Sequence, residues 1–112
     1  MLFRSYGVFA GNFGTNAEYI NFRKDYRIRF PLLSDPGKVL TKQLGAHVAP
    51  EAFVLDGSAE ILYRGRIDDW MYAVGKKRAV ITTHELEDVL NEYVSRGKSQ
   101  VKNQPAIGCI IE

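Results

Sequence analysis

The chain has 112 residues, 46% of them hydrophobic and 25% charged, which suits one globular domain at most. A net charge of +2 without a clustered basic patch gives no reason to expect nucleic acid, and no apolar run approaches the ~20 residues of a membrane span. One cysteine excludes an intrachain disulfide, and two histidines far from it argue against a metal site, so neither metal nor cofactor is expected.

Met1-Leu2-Phe3-Arg4-Ser5-Tyr6 lacks a signal-peptide pattern. Tyr6-Gly7-Val8-Phe9-Ala10 reads as a buried strand. Gly11-Asn12-Phe13-Gly14 is the loop after it. A Gly-rich turn before a helix can cradle phosphate, but this one fits no established phosphate motif and serves as a strand-to-helix turn. Thr15 and Glu18 form a capping box that opens a helix over 16–26. Tyr19, Phe22 and Tyr26 share one stripe of it, with Ile20 alongside.

Phe30-Pro31-Leu32-Leu33 is a short strand, and its proline suggests a sheet edge. Asp35 is the N-cap of a second helix, with Pro36 at its first position. Val39, Leu40 and Leu44 should face inward, and Gly45 ends the helix. His47 is a loop residue.

Residues 52–55, Ala-Phe-Val-Leu, are an unbroken apolar run, as in a strand buried on both faces. Asp56-Gly57-Ser58 signals a turn. Residues 60–64 form a second strand, with Ile61 and Tyr63 on one face and Leu62 and Arg64 on the other. Together they make a β-hairpin. Pro50 precedes it, where a missing N–H costs little.

Arg64, Arg66, Asp68 and Asp69 cluster after the hairpin. Either the arginines hold an anionic group or depress a thiol pKa while the aspartates orient them, or the four fix the loop as a solvated salt-bridge network. Trp70 and Tyr72 line an aromatic contact surface or cover the sheet's edge. Residues 70–81 read as irregular, with Lys76-Lys77-Arg78 in a solvated loop. Thr82 and Glu85 give another capping box, and Leu86, Val89, Leu90, Tyr93 and Val94 mark a helix with one buried face. Gly97 closes it. Residues 98–112 are a tail ending near Ile107-Gly108-Cys109-Ile110-Ile111. The order β-α-β-α-β-β-α is an α/β sandwich pattern.

The string Ala49-Pro50-Glu51-Ala52-Phe53-Val54-Leu55-Asp56, its hairpin and Tyr63-Arg64-Gly65-Arg66-Ile67-Asp68-Asp69 resemble a known family. They look like the second half of a thioredoxin-like redoxin domain. The group is that of the bacterial alkyl hydroperoxide reductase/thiol-specific antioxidant proteins and the thiol-disulfide oxidoreductases. The resemblance implies an incomplete thioredoxin-like sandwich over residues 1–97, followed by a tail over 98–112. It implies an N-terminally truncated domain, with the first strand and the cysteine-bearing active-site helix absent.

On the same basis Ala49-Pro50 is cis, and Ala49 and Pro50 bind an extended substrate segment. No residue of the chain is catalytic, and Arg64, Arg66, Asp68 and Asp69 are candidate supporting residues. Cys109 is a candidate redox thiol, resolving a missing nucleophile or bridging two chains, or else inert packing. It cannot perform two-cysteine exchange alone. The chain is then part of a thiol-disulfide oxidoreductase or peroxiredoxin-like protein acting on a thiol/disulfide protein or a peroxide. The alternative is a redox-inactive thioredoxin-like module that binds a peptide, or a homodimer formed through unpaired strands. The resemblance leans towards a bacterial, extracytoplasmic setting.

Overall fold

The computed structural model describes residues 3–11, 14–73 and 75–111, so Asn12 and Phe13 of the expected glycine-rich loop lie outside the described residues. Among the described residues the chain is mixed α/β, with three helices and four two-stranded sheets. It divides into two compact units, residues 3–46 and residues 47–111. No described helix is long and apolar enough to cross a membrane.

In the unit of residues 3–46, β1 (Gly7–Ala10) pairs in parallel with β2 (Leu32–Asp35), Gly7 opposite Leu32. A parallel pair needs a crossover, and α1 (Asn16–Asp25) supplies it. Thr15 Oγ1 accepts the Glu18 N–H at 3.3 Å, as the capping box predicts. Phe9 meets Tyr19 and Phe22 edge-on, with ring centroids 5.1 and 5.0 Å apart, and Phe22 lies 4.7 Å from Tyr26. Tyr19 and Phe22 of the stripe therefore pack on Phe9, while Tyr26 and Ile20 are exposed.

β2 begins after Pro31, whose carbonyl accepts the Gly7 N–H at 2.9 Å. Asp35 ends this strand and is not the N-cap of the next helix, α2 (Val39–Leu44). Lys38, at φ 57°, turns the chain between them. The Asp35 carboxylate still satisfies the helix start across that turn. It accepts from Val39 N at 3.0 Å and from Thr41 N and Oγ1 at 2.8 Å each. This bonding draws Thr41 inward, so Thr41 is buried and Val39 and Leu40 are exposed, against the expectation from hydrophobicity. Gly45, at φ 69°, ends the helix as expected.

In the unit of residues 47–111, β3 (Val48–Ala49) leads through Pro50 to β4 (Ala52–Leu55). β4 pairs antiparallel with β5 (Ile61–Gly65), and Asp56 Oδ1 fixes the turn by accepting from Ser58 N at 2.8 Å and Glu60 N at 2.9 Å. The hairpin is the predicted one, but its strands are unevenly covered. Val54 and Tyr63 are buried, while Leu55 and Ile61 are exposed beyond a register shift between Val54 and Leu55. The apolar run thus marks a half-buried strand.

Residues 70–81 are more regular than expected. β6 (Met71–Ala73) pairs antiparallel with β7 (Lys76–Lys77), and Arg78 N donates to the Trp70 carbonyl at 2.6 Å. α3 (Glu85–Arg96) begins at His84, which makes no side-chain cap bond. Thr82 does not cap it, because the Thr82 hydroxyl donates to Asp69 instead. Val89 is fully buried; Leu86, Leu90 and Tyr93 are half-buried, and Val94 is exposed. Gly97, at φ 72°, closes the helix.

The last residues are docked. β8 (Cys109–Ile110) pairs antiparallel with β3. Upstream, Arg66 N donates to the Gln104 carbonyl at 2.9 Å and Arg64 N to Asn103 Oδ1 at 3.0 Å. Gly65 permits this approach, since its φ is 141° and a Cβ there would lie 1.8 Å from the Gln104 oxygen.

Candidate functional site

The Ala49-Pro50 peptide bond is cis and joins two strands at the rim of a cleft. The cleft holds about 200 Å³ and is lined by Pro50, Arg66, Asp68, Trp70, Met71 and Ile107, among others. Three segments meet there: the loop ahead of β4, the charged stretch after β5, and the tail. Its walls are largely apolar, with Arg66 and Asp68 the charged side chains among them.

The four charged residues singled out from the sequence fall into different roles. Arg64 NH2 reaches Glu51 Oε2 at 3.2 Å, and its guanidinium lies 5.0 Å from the centre of the Phe53 ring. Arg66 Nε donates to Glu85 Oε1, and its NH2 lies 3.4 Å from Thr83 Oγ1. Asp68 Oδ1 accepts the Trp70 N–H at 2.9 Å, closing a local turn. Asp69 is buried and accepts from Thr82 N at 2.8 Å, from Thr83 N at 3.0 Å and from the Thr82 hydroxyl. The Thr82 hydroxyl and the Thr83 amide hold its carboxyl far below the usual carboxylate range, against the opposing effect of burial. Arg78 Nε, 3.7 Å away, adds to this.

Arg66 and Asp68 therefore line the cleft, Arg64 braces Glu51 beside Pro50, and Asp69 ties the loop to the start of α3. These bonds fit the loop-fixing alternative. In the sequence Glu51 is not singled out as a site residue and Glu85 reads only as half of a capping box, although two signals point to their pairing with the arginines. The hairpin register sets Ala52 opposite Gly65, which brings Glu51 near the arginines. Glu85 opens α3, where an acidic side chain is favoured.

Tyr63 underpins the site. It is fully buried, and its hydroxyl donates to the Arg66 carbonyl at 2.5 Å. Burial, reinforced by the Glu85 charge, pushes its phenol up to about 12. Glu85 Oε2 is buried without a hydrogen-bond partner.

Trp70 and Tyr72 are exposed and carry cations: Lys77 Nζ sits 4.4 Å from the Trp70 ring centre, and the Arg78 guanidinium 5.7 Å from that of Tyr72. Lys76 and Lys77 form β7, and Arg78 is tied back to Asp69, so the basic run is structured. His47 is exposed; its N–H donates to Glu51 Oε1 at 3.3 Å. Cys109 is an exposed free thiol, not buried packing, and stands opposite Ala49 in the strand register. No group of three or more His, Cys, Asp or Glu among the described residues could hold a metal ion. Comparison with family models and with curated proteins finds no match.

The arrangement offers a main-chain edge, a small apolar cleft beside it, and one thiol in register with the edge. In this structure the edge is filled by the chain's own Cys109–Ile110, which pairs antiparallel with Val48–Ala49.

Proposed function

We propose that the chain is part of a thioredoxin-like redoxin domain, of the thiol-disulfide oxidoreductase or peroxiredoxin-like kind, and supplies its substrate-facing wall. On this reading Ala49 presents its backbone to an extended segment of a thiol- or disulfide-bearing protein. Pro50 and the adjoining cleft receive a flanking side chain. Arg64 and Arg66, braced by Glu51 and Glu85, hold that wall in place.

One observation carries the reading: an extended strand pairs antiparallel with Val48–Ala49 directly ahead of Pro50, with a sulfur in register with Ala49. Exchange between a thiol and a disulfide needs an attacking thiolate and a disulfide partner. With a single cysteine, two-cysteine exchange needs a second thiol from outside these 112 residues. A redox-inactive module that binds a peptide or a second copy is the other reading. It is favoured by the fact that the seated strand is held through its backbone, without sulfur chemistry.

The test is where an unfolded polypeptide docks. Reduced and alkylated insulin B chain, which carries no reactive thiol, is titrated into isotope-labelled protein. Amide shifts should centre on Val48, Ala49 and Glu51, with further shifts at Arg66, Trp70 and Met71. Shifts confined to residues 3–46 would refute the substrate-wall reading.

A further inference from the structure

We propose that the tail strand Cys109–Ile110 is a removable strap, which occupies the Val48–Ala49 edge and must lift before an extended peptide can pair there. This rests on the reading of that edge as the peptide-binding one. Ile110 stands opposite Val48 and Cys109 opposite Ala49, and Ile111 N donates to the His47 carbonyl at 2.8 Å. The tail therefore makes in cis the antiparallel pairing that an incoming peptide would make. It also forms part of the cleft wall, because Ile107 is one of the side chains lining it.

The strap is seated specifically. A Cβ on Gly108 would lie 2.1 Å from the Ala49 oxygen and 3.1 Å from Pro50 Cδ, so only glycine lets the tail pass this close. Yet the strap is held lightly. Cys109 is exposed and Ile110 is 79% exposed, which leaves main-chain bonds as its chief hold. The anchors at Asn103 and Gln104 lie upstream and bond to Arg64 and Arg66, not to β3. The segment after Gln104 can thus peel away while its root stays fixed. A tethered strand competes at an effective concentration of roughly millimolar order, so a free peptide meets an occupied edge.

The test uses the full chain and, as probe, a synthetic peptide of residues 105–111 with serine in place of the cysteine. Affinity is read from amide shifts at Val48 and Ala49 in the wild type, in Gly108→Val and in Ile111→Pro. The first variant clashes with the Ala49 carbonyl, and the second removes the donor to His47. Both should bind the probe about tenfold more tightly than wild type, a difference of about 1.4 kcal/mol. Should Gly108→Val fail to fold, Ile111→Pro decides alone. Equal affinity in wild type and variant would overturn the strap and leave the peptide edge standing. No shift over residues 47–51 in any of the proteins would overturn both.

Discussion

Tyr63 should be the most sensitive single position of the unit that carries the cleft. It is fully buried, and a buried aromatic removes roughly 150–250 Å² from water. At ~25 cal/mol per Å² that is worth about 4–6 kcal/mol, and truncating comparable aromatics to alanine costs roughly 3–5 kcal/mol. A small domain has only about 5–15 kcal/mol in total, so Tyr63→Ala should leave little folded protein. Tyr63→Phe separates the ring from the hydroxyl. It keeps the ring's burial and removes the donor that meets the Arg66 carbonyl at 2.5 Å. A fully buried acceptor losing its partner costs about 1–3 kcal/mol, and because this bond is only part-buried the loss should lie near the low end, about 1 kcal/mol. Urea melts followed by Trp70 fluorescence read this unit, since Trp70 lies in it. A Tyr63→Phe midpoint within error of wild type would mean that this hydrogen bond does not hold the Arg66 backbone.

Two further outcomes are expected. Stability should fall in acid: the Asp69 carboxyl is held below its unfolded value of about 3.9, so its contribution is complete above about pH 4 and is lost as pH falls through the depressed folded value. Asp35 acts with the same sign, chiefly through the Thr41 amide, whereas Tyr63, raised to about 12, withdraws its contribution as pH climbs past about 10. Urea midpoints against pH should therefore drop at both ends, and Asp69→Asn should flatten the acid limb; an unchanged limb would refute the assignment. In α3, Val89→Ala should cost about 1.5–3 kcal/mol, because Val89 is fully buried. Leu90→Ala should cost less than about 2 kcal/mol, because Leu90 is half-buried and lines an open cleft. Melts showing Leu90 as the costlier loss would reverse this picture of the helix face.

What was legible in the sequence is what short-range chemistry decides. Asp56-Gly57-Ser58 bends the chain whatever surrounds it, and its carboxylate finds the Ser58 and Glu60 amides as expected. Thr15 caps α1 because Glu18 N is the nearest orphan donor. Gly45 and Gly97 end helices because they take positive φ readily. The misses lie where a group is engaged by a partner outside its local pattern. Asp35 satisfies Val39 and Thr41 across a turn. Thr82 gives its hydroxyl to Asp69, 13 residues away, and so is lost as a cap. No local pattern in residues 98–112 says that Cys109 will face Ala49, because that register depends on a pairing 60 residues apart.

The same long-range bonds decide what kind of recognition the site can perform. Had Arg64 and Arg66 pointed into the cleft without partners, an anionic ligand would have been the natural occupant. Instead Arg64 bonds Glu51, and Arg66 bonds Glu85 while lining the cleft. Glu51 and Glu85 are themselves largely buried, with side chains 9% and 8% exposed. Removing either arginine would strand a largely buried carboxylate. Asp69 is engaged by two backbone amides and a hydroxyl. The charged cluster thus acts largely as a frame, and besides Asp68 the groups facing the cleft are mostly apolar side chains. On the proposed reading, an edge like that of Val48–Ala49 selects an extended backbone first and a side-chain sequence second, which makes the seat now held by the protein's own tail the place to test for a peptide.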